Sequence, residues 1–447
     1  MSVQMSVQKP TAEKSFLNRF FKLSENGTDV RTEILAGLTT FMTMAYIIFV
    51  NPSILSVTGM DFGAVLVATC LAAALGTLIM GLYANYPFAL APGMGLNAFF
   101  AYTVVKGMGY PWEVALAAVF ADGLIFIILT ATKVRQMIVD AIPLSLKMAV
   151  SAGIGLFIAL IGFHNAGIIV SNENTLVALG DFGKPEVLLA TIGLIITAVL
   201  VVRRVRGALL IGIILTTIIG IPMGVTDVSN FGIVSAPPSL APTFGAFARG
   251  LKGLLSVGLI PVIFSFTFVD MFDTIGTLIG VSSKAGMLDE KGRLPGASKA
   301  LTADAVATLA GAVMGTSTVT TYVESASGVA EGGRTGLTAV TAAILFLVAI
   351  FFSPLIGIVP GVATAPALII VGIFMMEPVM KIDFTNYLEA IPAFFAIVMM
   401  PFAFSIADGI IFGILAYSLL HLLTGRAREI SGTMWVLTIL FIMWFFV

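Results

Sequence analysis

The sequence predicts an all-α polytopic membrane protein with fourteen transmembrane segments, arranged as two inverted repeats of seven (7+7). Three observations predict this fold class: an extreme apolar composition, apolar runs of membrane-spanning length, and weak similarity between the two halves. Of the 447 residues, 58% are hydrophobic and 11% are charged, whereas soluble domains carry about 25% charged residues. The mean hydropathy is +1.06. We therefore expect a lipid bilayer to surround most of the chain.

Composition also excludes several classes of function. The formal net charge is −1, from 23 basic and 24 acidic residues, so no broad basic surface for nucleic acid is expected. Cys70 is the single cysteine, which excludes an intramolecular disulfide and a cysteine metal cluster. The two histidines, His164 and His421, are far apart in the sequence. We therefore expect neither a metal site nor a cofactor.

A spanning helix needs about 20 mostly apolar residues, and the chain offers such runs repeatedly. The last run, 434–447, has only 14 residues and is expected to lie at the interface or to pack against the bundle. The predicted segments, in chain order, are 33–55, 62–84, 88–105, 112–132, 142–163, 184–203, 206–223, 252–276, 300–315, 318–333, 336–355, 361–380, 384–405 and 408–424.

The distribution of basic residues predicts the orientation of these segments. If residues 1–30 form a cytoplasmic tail, all but four of the 23 lysines and arginines fall on the cytoplasmic side, in line with the positive-inside rule. The four exceptions are Lys106, Lys184, Arg249 and Lys252. Residues 1–31 are polar and lack the apolar core of a signal peptide. The sequence therefore predicts a multi-pass protein of the inner (plasma) membrane with both termini in the cytoplasm.

The two halves of the chain resemble each other in the same order. ATCLAAALGTLIMG (68–81) matches ADAVATLAGAVMG (303–315), and IPLSLKMAVSAGIG (142–155) matches VPGVATAPALIIVG (359–372). Because seven segments is an odd number, the second half must run through the membrane in the opposite direction. Inverted repeats with interrupted helices near the midplane are typical of secondary transporters.

The third and tenth segments carry these interruptions. Short strand-like stretches, YPFALAPGMG (86–95) and TTYVESASG (320–328), replace regular helix there. Irregular backbone at membrane depth is tolerated only where protein or a water-filled cavity satisfies its polar groups. Two half-helices that begin at these breaks would offer free N–H groups to a polar ligand.

Three acidic residues lie within predicted spans and indicate a protonatable site. Asp270 and Asp273 are three positions apart, so they share one helix face, with Thr277 one turn further along. Glu324 lies in the second interruption. A carboxylate at bilayer depth costs at least ~2.5 kcal/mol and usually marks function, and two so close together would rarely both stay ionised. We expect Glu324, Asp270 and Asp273 to couple transport to protons; structural hydrogen bonds remain the alternative for the two aspartates.

Other polar and aromatic residues near the breaks have two interpretations each. Asn97 offers a donor and an acceptor to a heteroaromatic ligand, or it braces the broken helix. Phe88 and Tyr322 can stack on a planar ligand, or they belong to the core. Structural roles are the better interpretation for three further acids, Asp122, Asp304 and Asp408.

Four motifs resemble those of one transporter family. GLTTFMTMAYIIFVNP (37–52), ALAPGMGLNAFF (89–100), FVDMFDTIGTLIGV (268–281) and TYVESASGVAEGGRTGLTAV (321–340) are similar to the AzgA-like purine permeases, a branch of the nucleobase–cation symporter-2 (nucleobase–ascorbate transporter) family. The similarity covers residues 15 to 430. It implies a core domain and a gate domain, a homodimer, and the following division: tail 1–30, core 31–135, gate 136–224, extracytoplasmic loop 225–251, core 252–355, gate 356–425 and C-terminal segment 426–447.

The resemblance also implies a function and a site. It implies a proton-coupled secondary transporter that imports the purine nucleobases adenine, guanine and hypoxanthine by alternating access. Asp273 and Glu324 would hold the purine, with Asn97 and Asp270 tuning binding or coupling. The uracil and xanthine branches carry a histidine at the position of Thr277, so in this chain a carboxylate must carry the proton. The candidate substrate-binding residues are Asp273, Glu324, Asn97, Phe88, Tyr322, Thr277 and Ser325.

Rival functions remain open from the sequence alone. A uracil or xanthine permease of the same superfamily is the nearest alternative. An inorganic-anion transporter with the same 7+7 plan would require a neutral or cationic site, whereas this one has three acids. A channel is disfavoured by paired broken helices with buried titratable groups. No zinc-protease motif, serine-hydrolase motif with a partner histidine, or intramembrane aspartyl-protease motif indicates an enzyme.

Overall fold

The structure, a computed structural model, describes residues 16–132, 141–229, 231–255, 259–289 and 294–444. Three predictions extend beyond these residues. They are the first half of the cytoplasmic tail, the border between core and gate at 135/136, and the last three residues of the run 434–447. The side chains of Leu255, Lys284 and Trp444 also lie outside the description.

The first half of the chain is helical apart from one short strand and a hairpin. Two π-helical stretches, Met80–Ala84 and Phe99–Gly107, directly follow α-helices of this half. Its elements are α1 (Phe16–Phe21), α2 (Val30–Met44), α3 (Ile47–Ser56), α4 (Phe62–Ile79), β1 (Leu90–Pro92), α5 (Met94–Ala98), α6 (Trp112–Ala131), α7 (Leu144–Asn165), β2 (Ile169–Asn172), β3 (Leu176–Leu179), α8 (Pro185–Val202) and α9 (Ala208–Gly220).

The second half repeats this order with one strand before a short helix. A 3₁₀ turn, Leu251–Leu255, follows the short helix that begins this half. Its elements are α10 (Phe247–Gly250), α11 (Ile260–Ala285), α12 (Ala297–Met314), β4 (Val319–Thr321), α13 (Ser325–Ala330), α14 (Gly336–Ala349), α15 (Ser353–Gly357), α16 (Gly361–Met376), α17 (Tyr387–Phe402), α18 (Ile406–Leu423) and α19 (Gly432–Trp444).

The prediction of an all-α multi-span protein is confirmed. Within the described ranges, nine helices are long and apolar enough to cross a membrane, some of them counted across a short break. Three shorter apolar helices, Ala208–Gly220, Tyr387–Phe402 and Gly432–Met443, accompany them. The last of these packs against the bundle: Phe441 meets the Phe264 ring edge-on at 5.2 Å, and Thr438 shares a 2.7 Å hydrogen bond with Ser418 of α18.

Two features differ from the sequence prediction. The eighth segment was predicted to begin at residue 252, which is wrong because α11 begins at Ile260 and continues to Ala285. Pro261 lies in its first turn, where a missing N–H costs nothing, and Gly286, at φ +66°, ends it. The hairpin β2–β3 was not predicted, because its strands are only four residues long and enclose three polar residues.

The helices contact one another in two groups. The first group consists of α2, α4, α6, α11, α12, α13 and α14. The second group consists of α7, α8, α9, α16, α17 and α18. The first group contains both interrupted segments. Its helices bury small residues, so that backbones approach closely in the way that membrane helices favour.

Equivalent parts of the two halves meet at the centre of the molecule. The strands β1 and β4 pair antiparallel, with Ala91 opposite Thr320. Helices α7 and α16 cross at Gly155 and Gly372, the two glycines that the repeat comparison aligns. A Cβ atom added to Gly372 would lie 2.4 Å from the carbonyl oxygen of Gly155, and one added to Gly155 would lie 2.5 Å from that of Gly372. The two backbones therefore touch, and only glycine fits at either position.

Replacing Gly372 by alanine should destabilise the fold. The new Cβ would meet backbone rather than a flexible side chain, so the helices must separate, at a cost of about 1–3 kcal/mol. Gly361→Ala in the first turn of the same helix is the matched control, because no atom of the described residues lies within 4 Å of its added Cβ. The measurement is the midpoint temperature of thermal aggregation in detergent, read by size-exclusion chromatography. Equal midpoints for the two variants would contradict the close crossing.

A buried glutamate fastens the end of the second interrupted segment. Glu33, in the first turn of α2, is fully buried. Its carboxylate accepts hydrogen bonds from the backbone N–H groups of Arg334 (2.8 Å) and Thr338 (3.1 Å) and from the Thr338 hydroxyl (2.6 Å). A carboxylate at the beginning of α14 is favoured by the free N–H groups there. Glu33 therefore holds the loop between α13 and α14 against α2.

Candidate functional site

The two interrupted segments satisfy each other's backbone. Beyond the three paired residues of β1 and β4, the Tyr322 N–H donates to the Ala89 carbonyl and the Gly93 N–H to the Thr318 carbonyl, both at 2.9 Å. Polar backbone groups at this depth therefore have partners within the protein, as a membrane interior demands. The half-helices α5 and α13 begin directly after the pair.

Glu324 occupies the residue before α13, and its side chain is half-buried. The phenol of Tyr46 donates to Glu324 Oε1 at 2.6 Å, a distance typical of a charge-assisted O–H···O bond. Tyr46 itself is buried at the break between α2 and α3. Sequence reasoning missed Tyr46, because it lies inside the continuous predicted span 33–55 and its partner Glu324 is distant in the sequence.

Asp273 reaches the same place from α11. It is half-buried, and the hydroxyl of Thr320 in β4 hydrogen-bonds to its carboxylate. Its carboxylate is close enough to that of Glu324 for their charges to repel. The phenols of Tyr46 and Tyr322 are close enough to feel both charges. The structure thus brings two acids and two phenols together at the strand pair.

Asp270 lies in a different environment from Asp273. It is fully buried, with the Thr274 hydroxyl 3.5 Å from its Oδ1. Thr274 in turn donates to Asp304 Oδ2 at 3.0 Å, and Thr321 donates to Asp304 Oδ1 at 3.3 Å. Asp270 and Asp304 therefore belong to one internal network behind β4, whereas Asp273 lies on the partly open side.

Three further candidates join the two breaks to each other. The Tyr322 phenol donates to the Pro92 carbonyl at 2.5 Å, and Ser325 Oγ accepts from the Ala89 N–H at 3.0 Å. Asn97 is fully buried, with its amide nitrogen 3.5 Å from the Pro92 carbonyl and its oxygen accepting from the Ser317 hydroxyl. Asn97 thus braces the first break, which is one of its two interpretations from the sequence.

Phe88 and Thr277 are placed at the edge of this cluster. Phe88 is fully buried in a separate apolar cluster with Leu278 and Val281, and its ring stacks on Tyr86 at 5.3 Å. A ligand would have to displace these neighbours to stack on that ring. Thr277 is half-buried on α11, one turn beyond Asp273.

The side chains and backbone of the site offer groups for hydrogen bonding. Over the described ranges, no group of three His, Cys, Asp or Glu side chains could hold a metal ion. The site contains carboxylates that accept hydrogen bonds, phenols that donate them, and backbone N–H groups where the two helices are interrupted. Such a set can hold a polar heterocycle and can exchange protons with it.

Comparison with known proteins identifies the family. The model of the Permease family matches residues 31–412. The chain is 49% identical to the adenine permease AdeP of Escherichia coli strain K12, over 99% of this chain and 98% of that protein. It is 48% identical to the guanine/hypoxanthine permease PbuG of Bacillus subtilis strain 168, over 96% of this chain and 99% of that protein.

A solved structure shares the fold at low identity. The transmembrane domain of a cyanobacterium bicarbonate transporter, BicA, superimposes with a TM-score of 0.61 and 15% identity, over 86% of this chain and 97% of that one. This likeness shows the fold alone: an all-α multi-span protein with a 7+7 inverted repeat. The family indicated by the four motifs is confirmed as well. The chain therefore belongs to the Permease family, whose members are transporters rather than enzymes, and within it to the AzgA-like branch.

Proposed function

We propose that this permease imports purine nucleobases (adenine, guanine and hypoxanthine) together with protons. Two relatives that match nearly the whole chain are permeases for adenine and for guanine and hypoxanthine. The observation that carries the proposal is the meeting of Asp273 and Glu324 beside the paired breaks. A purine presents ring N–H donors and nitrogen or oxygen acceptors along its edges, which is the complement of such a site.

Asp273 and Glu324 hold the purine edge in this proposal. An ionised carboxylate accepts hydrogen bonds only, and a protonated one also donates. Tyr46 orients Glu324, since its phenol already donates to that carboxylate. Tyr322 and Ser325 hold the two interrupted segments together. Asn97 and Phe88 support these segments without facing the ligand, and Thr277 extends the polar face of α11.

Proton coupling follows from the charge of the site. When a proton and a neutral purine bind together, the loaded site carries less net charge and moves past apolar barriers at lower cost. The empty, ionised site moves at higher cost. Because Thr277 stands where the uracil and xanthine branches have a histidine, we assign the proton to a carboxylate of the group Glu324, Asp270 and Asp273.

The architecture we propose has fourteen spanning segments in a core and a gate. The core comprises 31–135 and 252–355, and the gate comprises 136–224 and 356–425. The two groups of helices in mutual contact support this division. The loop 225–251 faces outward, the tail 1–30 and the C-terminus are cytoplasmic, and two copies form a homodimer.

Two features lie where core and gate would move against each other. An apolar crevice lies between Phe268 and Phe272 of α11 and side chains of α7, α17 and α18. Arg206, before α9, forms an ion pair with Glu331, after α13. Alternating access by sliding or rocking of the core against the gate would change both.

The alternatives are weaker on this site. An anion transporter shares the fold, but two carboxylates repel an anion. A uracil or xanthine permease remains within the same superfamily, and it is distinguished from a purine permease only by competition between substrates.

Uptake should be saturable and specific for purine bases. The test is uptake of radiolabelled adenine, guanine and hypoxanthine by a permease-deficient strain that expresses the chain, with and without a protonophore. Unlabelled adenine, guanine and hypoxanthine should compete, uracil and xanthine should not, and nucleosides should not because the ribose occupies the N9 edge. Competition by inosine equal to that by hypoxanthine, or uptake that a protonophore leaves unchanged, would contradict the proposal.

A further inference from the structure

Asp122 is a buried acid that the proposed mechanism does not use. It lies at the middle of α6, a helix of 20 residues, so it is about 15 Å from either end at 1.5 Å per residue. That position is near the centre of a bilayer whose apolar layer is about 30 Å thick. The side chain is fully buried. An ionised carboxylate there needs a compensating charge or several donors.

The donors around Asp122 are too few for an ionised carboxylate. The Thr318 hydroxyl lies 3.5 Å from Asp122 Oδ2, and among the described residues Oδ1 has no hydrogen-bond partner. The second polar neighbour is the hydroxyl of Thr267. That hydroxyl also lies 3.0 Å from the Ile263 carbonyl, to which it donates. A hydroxyl has one hydrogen, so Thr267 offers Asp122 at most a shared donor.

Among the described residues, the ion pairs do not compensate an ionised Asp122. Those found join Lys22 to Glu25, Arg206 to Glu331 and Arg249 to Glu113. Elements packed against α6 carry five basic residues near their ends, Lys106, Arg249, Lys252, Lys284 and Lys299, and three acidic ones, Asp270, Asp273 and Asp304. Lys299 is at the far end of α12, over the Tyr83 ring. The ion pairs of the described residues therefore leave Asp122 without a positive partner.

We propose that Asp122 is a second proton-binding site, separate from the acids at the strand pair and protonated in the conformation described. This replaces the structural role expected from the sequence, and it rests on the proposed function. A protonated Asp122 needs no compensating charge and still accepts from Thr318 at Oδ2. Loss of the proton leaves a buried negative charge whose donors are Thr318, at 3.5 Å, and the shared hydroxyl of Thr267.

The position of Asp122 links its proton to the purine site. Thr267 lies on α11, less than two turns before Asp273. Thr318 directly precedes β4, and its carbonyl accepts from the Gly93 N–H at the first break. Deprotonation of Asp122 therefore disfavours the packing that sets α11 and β4 in place. The proton on Asp122 stabilises the arrangement that binds purine, independently of any proton carried at Glu324.

The experiment is counterflow of radiolabelled adenine in proteoliposomes, with the same pH inside and outside, over a pH series. Without a proton gradient, only the protonation of the protein varies. The unaltered protein should lose counterflow at alkaline pH. Asp122→Asn, which is permanently neutral, should retain it at the alkaline end, with about a tenfold difference from the unaltered protein one pH unit above its midpoint. Thr267→Val, which removes the shared donor to the ionised carboxylate, should likewise retain counterflow to a higher pH than the unaltered protein.

Controls separate the possible outcomes. Asp181→Asn makes the same chemical change on an exposed loop and should follow the unaltered protein. Should Asp122→Asn fail to fold, Thr267→Val decides alone. Alkaline profiles of both variants that superimpose on the unaltered one would overturn the proposal. So would counterflow of the unaltered protein that disappears when choline replaces sodium at constant pH, since a metal ion would then neutralise Asp122. Absence of purine counterflow in the unaltered protein at every pH would instead refute the proposed function.

Discussion

Replacing Glu324 by glutamine should abolish the accumulation of purine against its gradient. The amide keeps the size of the side chain and can still accept from the Tyr46 phenol, whose bond to Glu324 Oε1 is 2.6 Å long. It can neither take up nor release a proton. A lost hydrogen bond to a charged group costs about 1.5–3 kcal/mol, so purine affinity should also fall about 10- to 100-fold. The measurement is the ratio of internal to external labelled purine at steady state, together with calorimetry on the purified variant.

Tyr46→Phe is the matched control for that variant. It removes the phenol donor but leaves the carboxylate of Glu324 free to titrate. We expect weaker purine binding with accumulation retained. If Glu324→Gln still concentrates purine while Tyr46→Phe does not, the proton is carried elsewhere and Tyr46 is the more important of the two.

The spans could be predicted because the bilayer imposes a strict length and polarity on each helix. Runs such as 62–84 and 112–132 therefore end within a few residues of their helices, Phe62–Ala84 and Trp112–Ala131. The start of α11 could not be predicted in the same way, since residues 252–255 are apolar enough to extend a span. A 3₁₀ turn, Leu251–Leu255, lies where the span was expected to begin, and Pro261 lies in the first turn of α11.

The acids of the site could be predicted from the free-energy cost of placing a carboxylate within the membrane. A carboxylate within a predicted span is rarely retained without a task, which singled out Asp273 and Glu324. The same argument could not separate Asp273 from Asp270, because both share one helix face by sequence. Their neighbours differ through contacts with β4 and α12, which are distant in sequence.

Contacts between distant residues explain what was missed. Glu33 is an ordinary acid in a first helical turn by sequence, yet it is fully buried and bonded to residues some 300 positions away. Tyr46 is one of eight tyrosines, and its importance becomes visible only when α13 brings Glu324 to it. Pairing between the two inverted repeats creates both contacts, and periodicity within one repeat carries no information about them.

The two aspartates of α11 should respond differently to the same substitution. Asp273 lies in the half-buried cluster with Glu324, whereas Asp270 is fully buried in the network of Thr274 and Asp304. The first therefore contacts the purine in our proposal, and the second acts through its neighbours. Asparagine at either position removes one negative charge and keeps the shape, so the pair of variants is internally matched.

Asp273→Asn should abolish purine binding, and Asp270→Asn should preserve it but change the pH dependence of transport. Asparagine at position 273 removes an ionised acceptor for the purine and places an amide beside Thr320. The loss of binding free energy should be about 1.5–3 kcal/mol or more. Loss of charge at Asp270 instead changes the field at the acids nearby, so protonation at the site occurs over a different pH range. Calorimetric titration with adenine measures the first effect, and uptake over a pH series measures the second. Purine affinity of Asp273→Asn equal to that of the unaltered protein, or an unchanged pH profile in Asp270→Asn, would show that the roles assigned to the two aspartates are wrong.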